Sequence, residues 1–165
     1  NAVSVPWFEI DCAGASRGHI ACPPARNPGR NVVWAAESSR SSAIFDLDND
    51  GDQDIVTLEF NQRPMVLINN LSDQKPIRYL KINLVGSTSN KAGIGAVVKG
   101  FSGDNIYTKT NDGKSGYLAQ SAAPLYFGLG DTGDIDKIQI TWPSRTVQTI
   151  SENIPRNRLF EITEP

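Results

Sequence analysis

Five carboxylates and one glycine fall within nine residues at Asp46-Leu47-Asp48-Asn49-Asp50-Gly51-Asp52-Gln53-Asp54, between Ile44-Phe45 and Ile55-Val56-Thr57-Leu58. Charges crowded in this way repel one another unless a cation enters the loop. Acidic residues stand at loop positions 1, 3, 5 and 9, with glycine at position 6 for a sharp turn. That spacing wraps hard oxygen ligands around Ca2+. In this register Asp46, Asp48 and Asp50 turn alternate side chains inward, Asp52 offers its backbone carbonyl, and Asp54 closes the sphere directly or through water. An EF-hand would need a bidentate glutamate at position 12, which here is Thr57, and helical flanks instead of β-branched ones. Magnesium prefers its own waters and one or two carboxylates to such a cage. A solvated acidic turn, which Asp and Gly also favour, is the competing reading; strict alternation around the glycine favours calcium.

Other groups that could do chemistry are sparse. Cys12 and Cys22 are the only cysteines, separated by a Gly/Ser/Arg-rich stretch, and a local disulfide between them is expected, with two free thiols as the alternative. Closing such a loop contributes roughly 2–3 kcal/mol by restricting the unfolded chain. His19, the only histidine, lies between those cysteines and far in sequence from any matched carboxylate or nucleophile. Gly93-Ile94-Gly95 lacks the third glycine of a dinucleotide fingerprint and reads as a strand start. Gly113-Lys114-Ser115 would need glycine where Thr108 stands to form a phosphate loop, and Asn111-Asp112-Gly113 reads as a hairpin turn. Asp131, Asp134 and Asp136 are irregularly spaced, which suits a solvated turn better than a second calcium site. Asn70-Leu71-Ser72 is a glycosylation sequon that matters only in a eukaryotic secretory pathway. No nucleophile and base pair can be named, so an enzyme is not expected.

The elements that must position the acidic loop are β-strands. Ile55–Phe60, Met65–Asn69, Tyr79–Val85, Ala96–Phe101, Ile106–Thr110, Leu125–Phe127, Lys137–Trp142, Val147–Ile150 and Leu159–Thr163 are short, rich in β-branched and aromatic residues, and punctuated by Gly, Pro, Asn or Asp. Leu80, Ile82 and Leu84 alternate with Lys81 and Asn83; Ile138, Ile140 and Trp142 alternate with Lys137, Gln139 and Thr141. One face of each strand is therefore buried and the other wet, the pattern of antiparallel sheets packed face to face. Trp142, Trp34 and Trp7 read as core or edge packing before a sugar platform, Trp142 because it shares an apolar face with Ile138 and Ile140, and a carbohydrate role for Trp7, Trp34 or Tyr117 is the alternative. The expected architecture is all-β: an antiparallel, jelly-roll-like sandwich over residues 77–165, preceded over residues 1–76 by an irregular arm and a calcium-loop hairpin.

The 165 residues suffice for one domain or slightly more, and a net charge of −2 leaves no footprint for nucleic acid. Split at Pro76, the first part holds six basic and ten acidic residues (−4) and the second ten and eight (+2). Most of that asymmetry is the acidic loop. No apolar run approaches the ~20 residues of a membrane-spanning helix, so membrane insertion is not expected. Calcium at millimolar level and a disulfide both suit a secreted, extracellular or periplasmic setting. Asn1 then reads as a processed end or the start of an ordered part.

The segment from Ala43 to Val56, followed by Leu67-Ile68-Asn69-Asn70, resembles an FG-GAP/VCBS repeat, the calcium-binding blade unit of integrin-type propellers. Downstream, Leu84-Val85-Gly86-Ser87 with Ser89-Asn90, Gly93-Ile94-Gly95-Ala96-Val97-Val98, Gly116-Tyr117-Leu118-Ala119-Gln120-Ser121, Leu125-Tyr126-Phe127-Gly128-Leu129-Gly130 and Ile140-Thr141-Trp142-Pro143-Ser144 resemble, in order, an ASPIC/UnbV domain. Together they resemble the C-terminal end of cartilage-acidic-protein-like secreted proteins. The chain departs from that pattern by holding one calcium loop where several repeats usually precede the domain, and by carrying Arg145 where a turn glycine is usual. The resemblance implies a binding or structural role without a defined chemistry. The expectation is a calcium-stabilised extracellular structural or adhesion module whose partner is another protein or itself, assembling into a homo-oligomer or filament through edge strands or the N-terminal arm. A carbohydrate-binding module taking glycans is the alternative, and an enzyme accessory domain the third.

Overall fold

A computed structural model describes residues 4–11, 30–36, 39–59, 63–115, 117 and 119–165. Cys12, Cys22 and His19, and so the expected disulfide, lie outside the described residues. Strands account for all the regular structure among those described, and there is no helix. In chain order they are β1 (Ser4–Asp11), β2 (Arg30–Ala36), β3 (Ser39–Phe45), β4 (Asp54–Glu59), β5 (Met65–Leu67), β6 (Tyr79–Val85), β7 (Val97–Ser102), β8 (Asn105–Thr110), β9 (Leu125–Gly128), β10 (Lys137–Thr141), β11 (Val147–Ile150) and β12 (Leu159–Thr163).

Two sheets form a β-sandwich: β11-β10-β7-β8 faces β12-β6-β9. Period-2 alternation builds the space between them. Leu80, Ile82 and Leu84 of β6, Val98 of β7, Phe127 of β9, Ile138 and Ile140 of β10, and Ile162 of β12 are buried together with Trp142, and Lys137 and Thr141 stay exposed. Each such side chain contributes roughly 1.5–3 kcal/mol on leaving water. Trp142 also donates its indole N–H to the Gln148 side chain at 2.9 Å, so the polar end of the ring is satisfied. Among the described residues the core cluster lies within residues 80–162.

Three details differ from the sequence reading. First, the sandwich is not purely antiparallel, because β12 runs parallel to β6, pairing Leu159 with Lys81 through Thr163 with Val85. The first and last strands of the unit become neighbours, a pairing that local sequence cannot encode. Second, the stretch read as an irregular arm contains β1 paired antiparallel with β2, with the register shifting between Pro6 and Phe8. Third, Asn111-Asp112-Gly113 does not close a hairpin; the β7–β8 turn is Gly103-Asp104, between the paired residues Ser102 and Asn105. After Gly113 the chain makes a loop bridged between Lys114 and Gln120.

The Arg145 position keeps a tight turn without glycine. Its N–H bonds the Trp142 carbonyl at 2.9 Å and its φ is 74°. A side chain in the left-handed region costs roughly 1–2 kcal/mol, which this turn absorbs.

The parallel β12 is held at its end by Glu164, which is buried although ionisable. Its Oε2 accepts the N–H groups of Ser87, Thr88 and Ser89 at 2.9, 2.9 and 2.7 Å, while Oε1 accepts the hydroxyls of Ser89 and Ser144 at 2.8 and 2.6 Å. Successive backbone N–H groups of this kind form an anion-binding nest. Burial alone would raise the Glu164 pKa, but the Ser144 and Ser89 hydroxyls with the Ser89 and Ser87 N–H groups outweigh it and hold the carboxyl down to about 2. A depressed folded-state pKa stabilises fully above the unfolded value and is lost as pH falls through the folded one. In acid titrations of the melting temperature, Glu164 is therefore expected to hold the fold at pH 5–7 and to release it between about pH 4.5 and 2. Glu164→Gln should lower the melting temperature at neutral pH and flatten that limb.

Candidate metal centre

The acidic loop connects β3 to β4 within a third sheet, ordered β3-β4-β5. Ile44 pairs with Ile55 and Phe45 with Asp54, so the two strands deliver both ends of the loop to one point. Asn49 and Gly51 take left-handed φ values of 64° and 101°, which curl the chain around its own carboxylates. One ligand atom from each of Asp46, Asp48 and Asp50 lies within 4.8 Å of the others. These are the inward-facing residues of the alternating pattern.

Each carboxylate has a distinct environment. Asp46 is fully enclosed: Oδ2 accepts the Gly51 N–H at 3.0 Å and an ion pair from Lys81 Nζ, whereas Oδ1 is buried without a hydrogen-bond partner. Asp48 accepts the Asp50 N–H at 3.3 Å. Loss of hydration, and after it the charges of Asp50 and Asp54, raise its pKa. Asp50 accepts the Ser72 hydroxyl and the Asp52 N–H, and these bonds, the hydroxyl first, lower its pKa. Asp52 is buried, with Oδ2 on the Ser72 N–H at 2.8 Å and Oδ1 unpartnered. Asp54 is also buried and braces the loop, accepting the Leu47 N–H at 2.7 Å and the Asn69 N–H at 2.8 Å. Its oxygens each keep a second lone pair.

Buried oxygens left without donors cost free energy comparable to a lost hydrogen bond. Asp46 Oδ1 therefore marks where a further positive partner fits. Asp46, Asp48 and Asp50 are the residues suited to hold a divalent cation, and an all-oxygen donor set suits Ca2+. Among the described residues no second cluster of this kind occurs. Asp134 pairs with Arg156 at 3.0 Å, and Asp136 accepts the Gly103 N–H at 2.9 Å.

The loop is seated on the outer face of the sheet containing β6 and β9. Lys81 comes from β6, the Tyr126 hydroxyl of β9 donates to the Gly51 carbonyl at 2.7 Å, and the Tyr79 and Tyr126 rings stack with centroids 5.6 Å apart. Burial, then the Asp46 charge, pushes the Tyr126 phenol up to about 12, so it remains a proton donor. A cavity of about 230 Å³ opens beside the loop, lined by Phe45, Asp46, Lys81, Pro124, Tyr126 and Leu159 among others. Elsewhere Ser115 donates its hydroxyl to the Ser42 carbonyl.

Comparison with known families bears on the second half of the chain. Residues 86–165 match the family model described as ASPIC and UnbV. No curated protein matches the chain. The ASPIC/UnbV match begins just after β6, so Tyr79, Lys81 and the acidic loop precede it, while Tyr126 and Ser115 come from inside it. Ser87, Ser89 and Ser144, all within the ASPIC/UnbV segment, converge on Glu164. Of the proposed sugar-platform residues, Tyr117 is exposed within that segment, and the side chains of Trp7 and Trp34 lie outside what the structure describes.

Of the five acids read as ligands, the structure groups Asp46, Asp48 and Asp50, while Asp54 holds the Leu47 and Asn69 N–H groups and Asp52 the Ser72 N–H; the sequence reading did not name the supports of the loop. Ser72, Lys81 and Tyr126 hold the loop from 18 or more residues away in the chain. The only signal for Lys81 and Tyr126 was their place on the wet side of alternating strands. Gly51 is a direct probe of this seating: a Cβ there would come within 2.6 Å of Tyr79 Cε1, in a backbone conformation that disfavours side chains. Gly51→Ala is expected to destabilise the protein by roughly 1–3 kcal/mol in denaturant titrations.

Proposed function

We propose that this chain is a non-enzymatic, calcium-stabilised extracellular or periplasmic module, an FG-GAP/VCBS-like calcium hairpin docked on an ASPIC/UnbV sandwich, with a structural or adhesive role. The observation that carries the reading is Asp46 Oδ1, a buried carboxylate oxygen without a donor, in a group of three carboxylates within 4.8 Å. A divalent ion there cancels the repulsion among Asp46, Asp48 and Asp50 and fixes the turn that sets the β3–β4 register. The ion's role is mechanical: it stiffens the loop that rests on Tyr79, Lys81 and Tyr126.

The size of the effect follows from linkage. Calcium at 100 times its dissociation constant adds roughly 2.7 kcal/mol. For a chain of this size that corresponds to a shift of roughly 5–10 °C in melting temperature. Chelator is expected to lower the melting temperature by that amount, and Asp46→Asn to abolish the difference. A wild-type melt that ignores both chelator and added calcium would sink the calcium reading.

A partner surface is favoured by a separate feature. Ile44, Ile55 and Leu67 are directly paired across β3, β4 and β5, so their side chains share one face, and they are 55%, 36% and 46% exposed. Contiguous apolar surface of this kind marks an interaction site more often than scattered single residues do. We assign it to a second copy of the chain, giving homo-assembly through this face and the edge strands of its sheet. Light scattering should report a mass that rises with protein concentration, and Ile55→Lys should return it to the monomer. A wild-type protein that stays monomeric at every concentration would exclude self-assembly.

A further inference from the structure

Lys81 stands where the ion's charge would act. Its ammonium pairs with Oδ2 of Asp46, the most enclosed of the three clustered carboxylates, and the Lys81 side chain itself is only 14% exposed. Lys81 is rooted in β6 of the sandwich, not in the hairpin, and its register partners are Tyr126 on β9 and Leu159 on β12. The ammonium also lies 5.3 Å from the centroid of the Tyr79 ring and borders the 230 Å³ cavity. A cation released from Asp46 has both room and an aromatic face to move to.

We propose that Lys81 is a built-in surrogate cation that competes with calcium for Asp46, so that the sandwich itself sets the affinity of the calcium loop. With the loop ion-free, the ammonium neutralises Asp46 and keeps the hairpin docked. When the divalent ion binds, it draws on Asp46 and repels the ammonium, and Lys81 turns toward the Tyr79 ring and the cavity. Calcium therefore exchanges one cation for another at the junction instead of creating the junction. This rests on the calcium reading above and adds to it a residue that tunes the site from outside the loop.

The competition has a definite sign. Lys81→Met removes both the competitor and a positive charge beside the ion, and should tighten calcium binding by roughly tenfold or more in isothermal titration. In chelator the same variant should melt below wild type, because Asp46 is then buried without its counter-charge; in saturating calcium the two melting temperatures should converge. Lys81→Arg, which keeps the charge, should retain wild-type affinity. Lys81→Gln should follow Lys81→Met while keeping a hydrogen-bond donor if methionine impairs folding. Calcium binding by wild type with an unchanged dissociation constant in both neutral variants would overturn the role of Lys81 and leave the calcium reading intact. Absence of binding by wild type and both neutral variants, up to about 10 mM calcium, would overturn the two together. Binding by wild type that tightens in both neutral variants and not in Lys81→Arg would support competition.

Discussion

A carboxylate withdrawn from water has to be balanced from inside the fold, and Asp46 is the point at which this molecule meets that demand. Its side chain is fully enclosed, and its charge is met by one ammonium and one backbone N–H. The balance ties the acidic hairpin on one side to β6 and β9 on the other. Removing one member of a buried pair typically costs 3–5 kcal/mol, because the remaining charge is stranded. The stacked Tyr79 and Tyr126 rings and the adjoining cavity lie beside this pair.

The sandwich solves its own problem by different means. Its two sheets enclose an apolar core around Trp142, Phe127 and the Ile/Leu/Val set. The exposed point is the parallel β12, which cannot be tied to β6 by a short turn. Glu164 supplies the tie, with five donors on one carboxylate. Both halves of the chain thus use a buried acid as a fastener. They differ in what satisfies it: backbone N–H groups and serine hydroxyls saturate Glu164, whereas Asp46 keeps one oxygen unpartnered. Asp52 also keeps one oxygen unpartnered, so the acidic loop as a whole is less fully satisfied than the Glu164 cradle.

Much of this was legible in the residues. Alternation at Leu80–Leu84 and Ile138–Trp142 fixes which face of each strand is buried, because the side-chain period of a strand is two. The spacing Asp46, Asp48, Asp50 around Gly51 was equally readable, since consecutive loop residues are covalently held within reach of one point. Other features were not. The β1–β2 pairing joins segments separated by a long interval, and Gly and Arg between them suggested irregular chain. The turn at Arg145 was unexpected because propensity argues against a side chain there, yet the hydrogen bond to Trp142 and the strands on either side impose it. The same strands place the β7–β8 turn at Gly103 and not at the more obvious Asn111-Asp112-Gly113.

The sequence by itself determined the strand periodicity and the burial of Trp142, because each depends on neighbours along the chain; it set the spacing of five acids but not which three of them come together. The tertiary structure alone decided what those acids rest on. Lys81 and Tyr126 reach the loop because β6 and β9 lie side by side, and Ser72 reaches it from the turn that follows β5; both placements come from sheet order, which no local pattern records. For the same reason the parallel β12, and the serines that converge on Glu164 from distant turns, emerge only when the first and last strands of the sandwich are brought together.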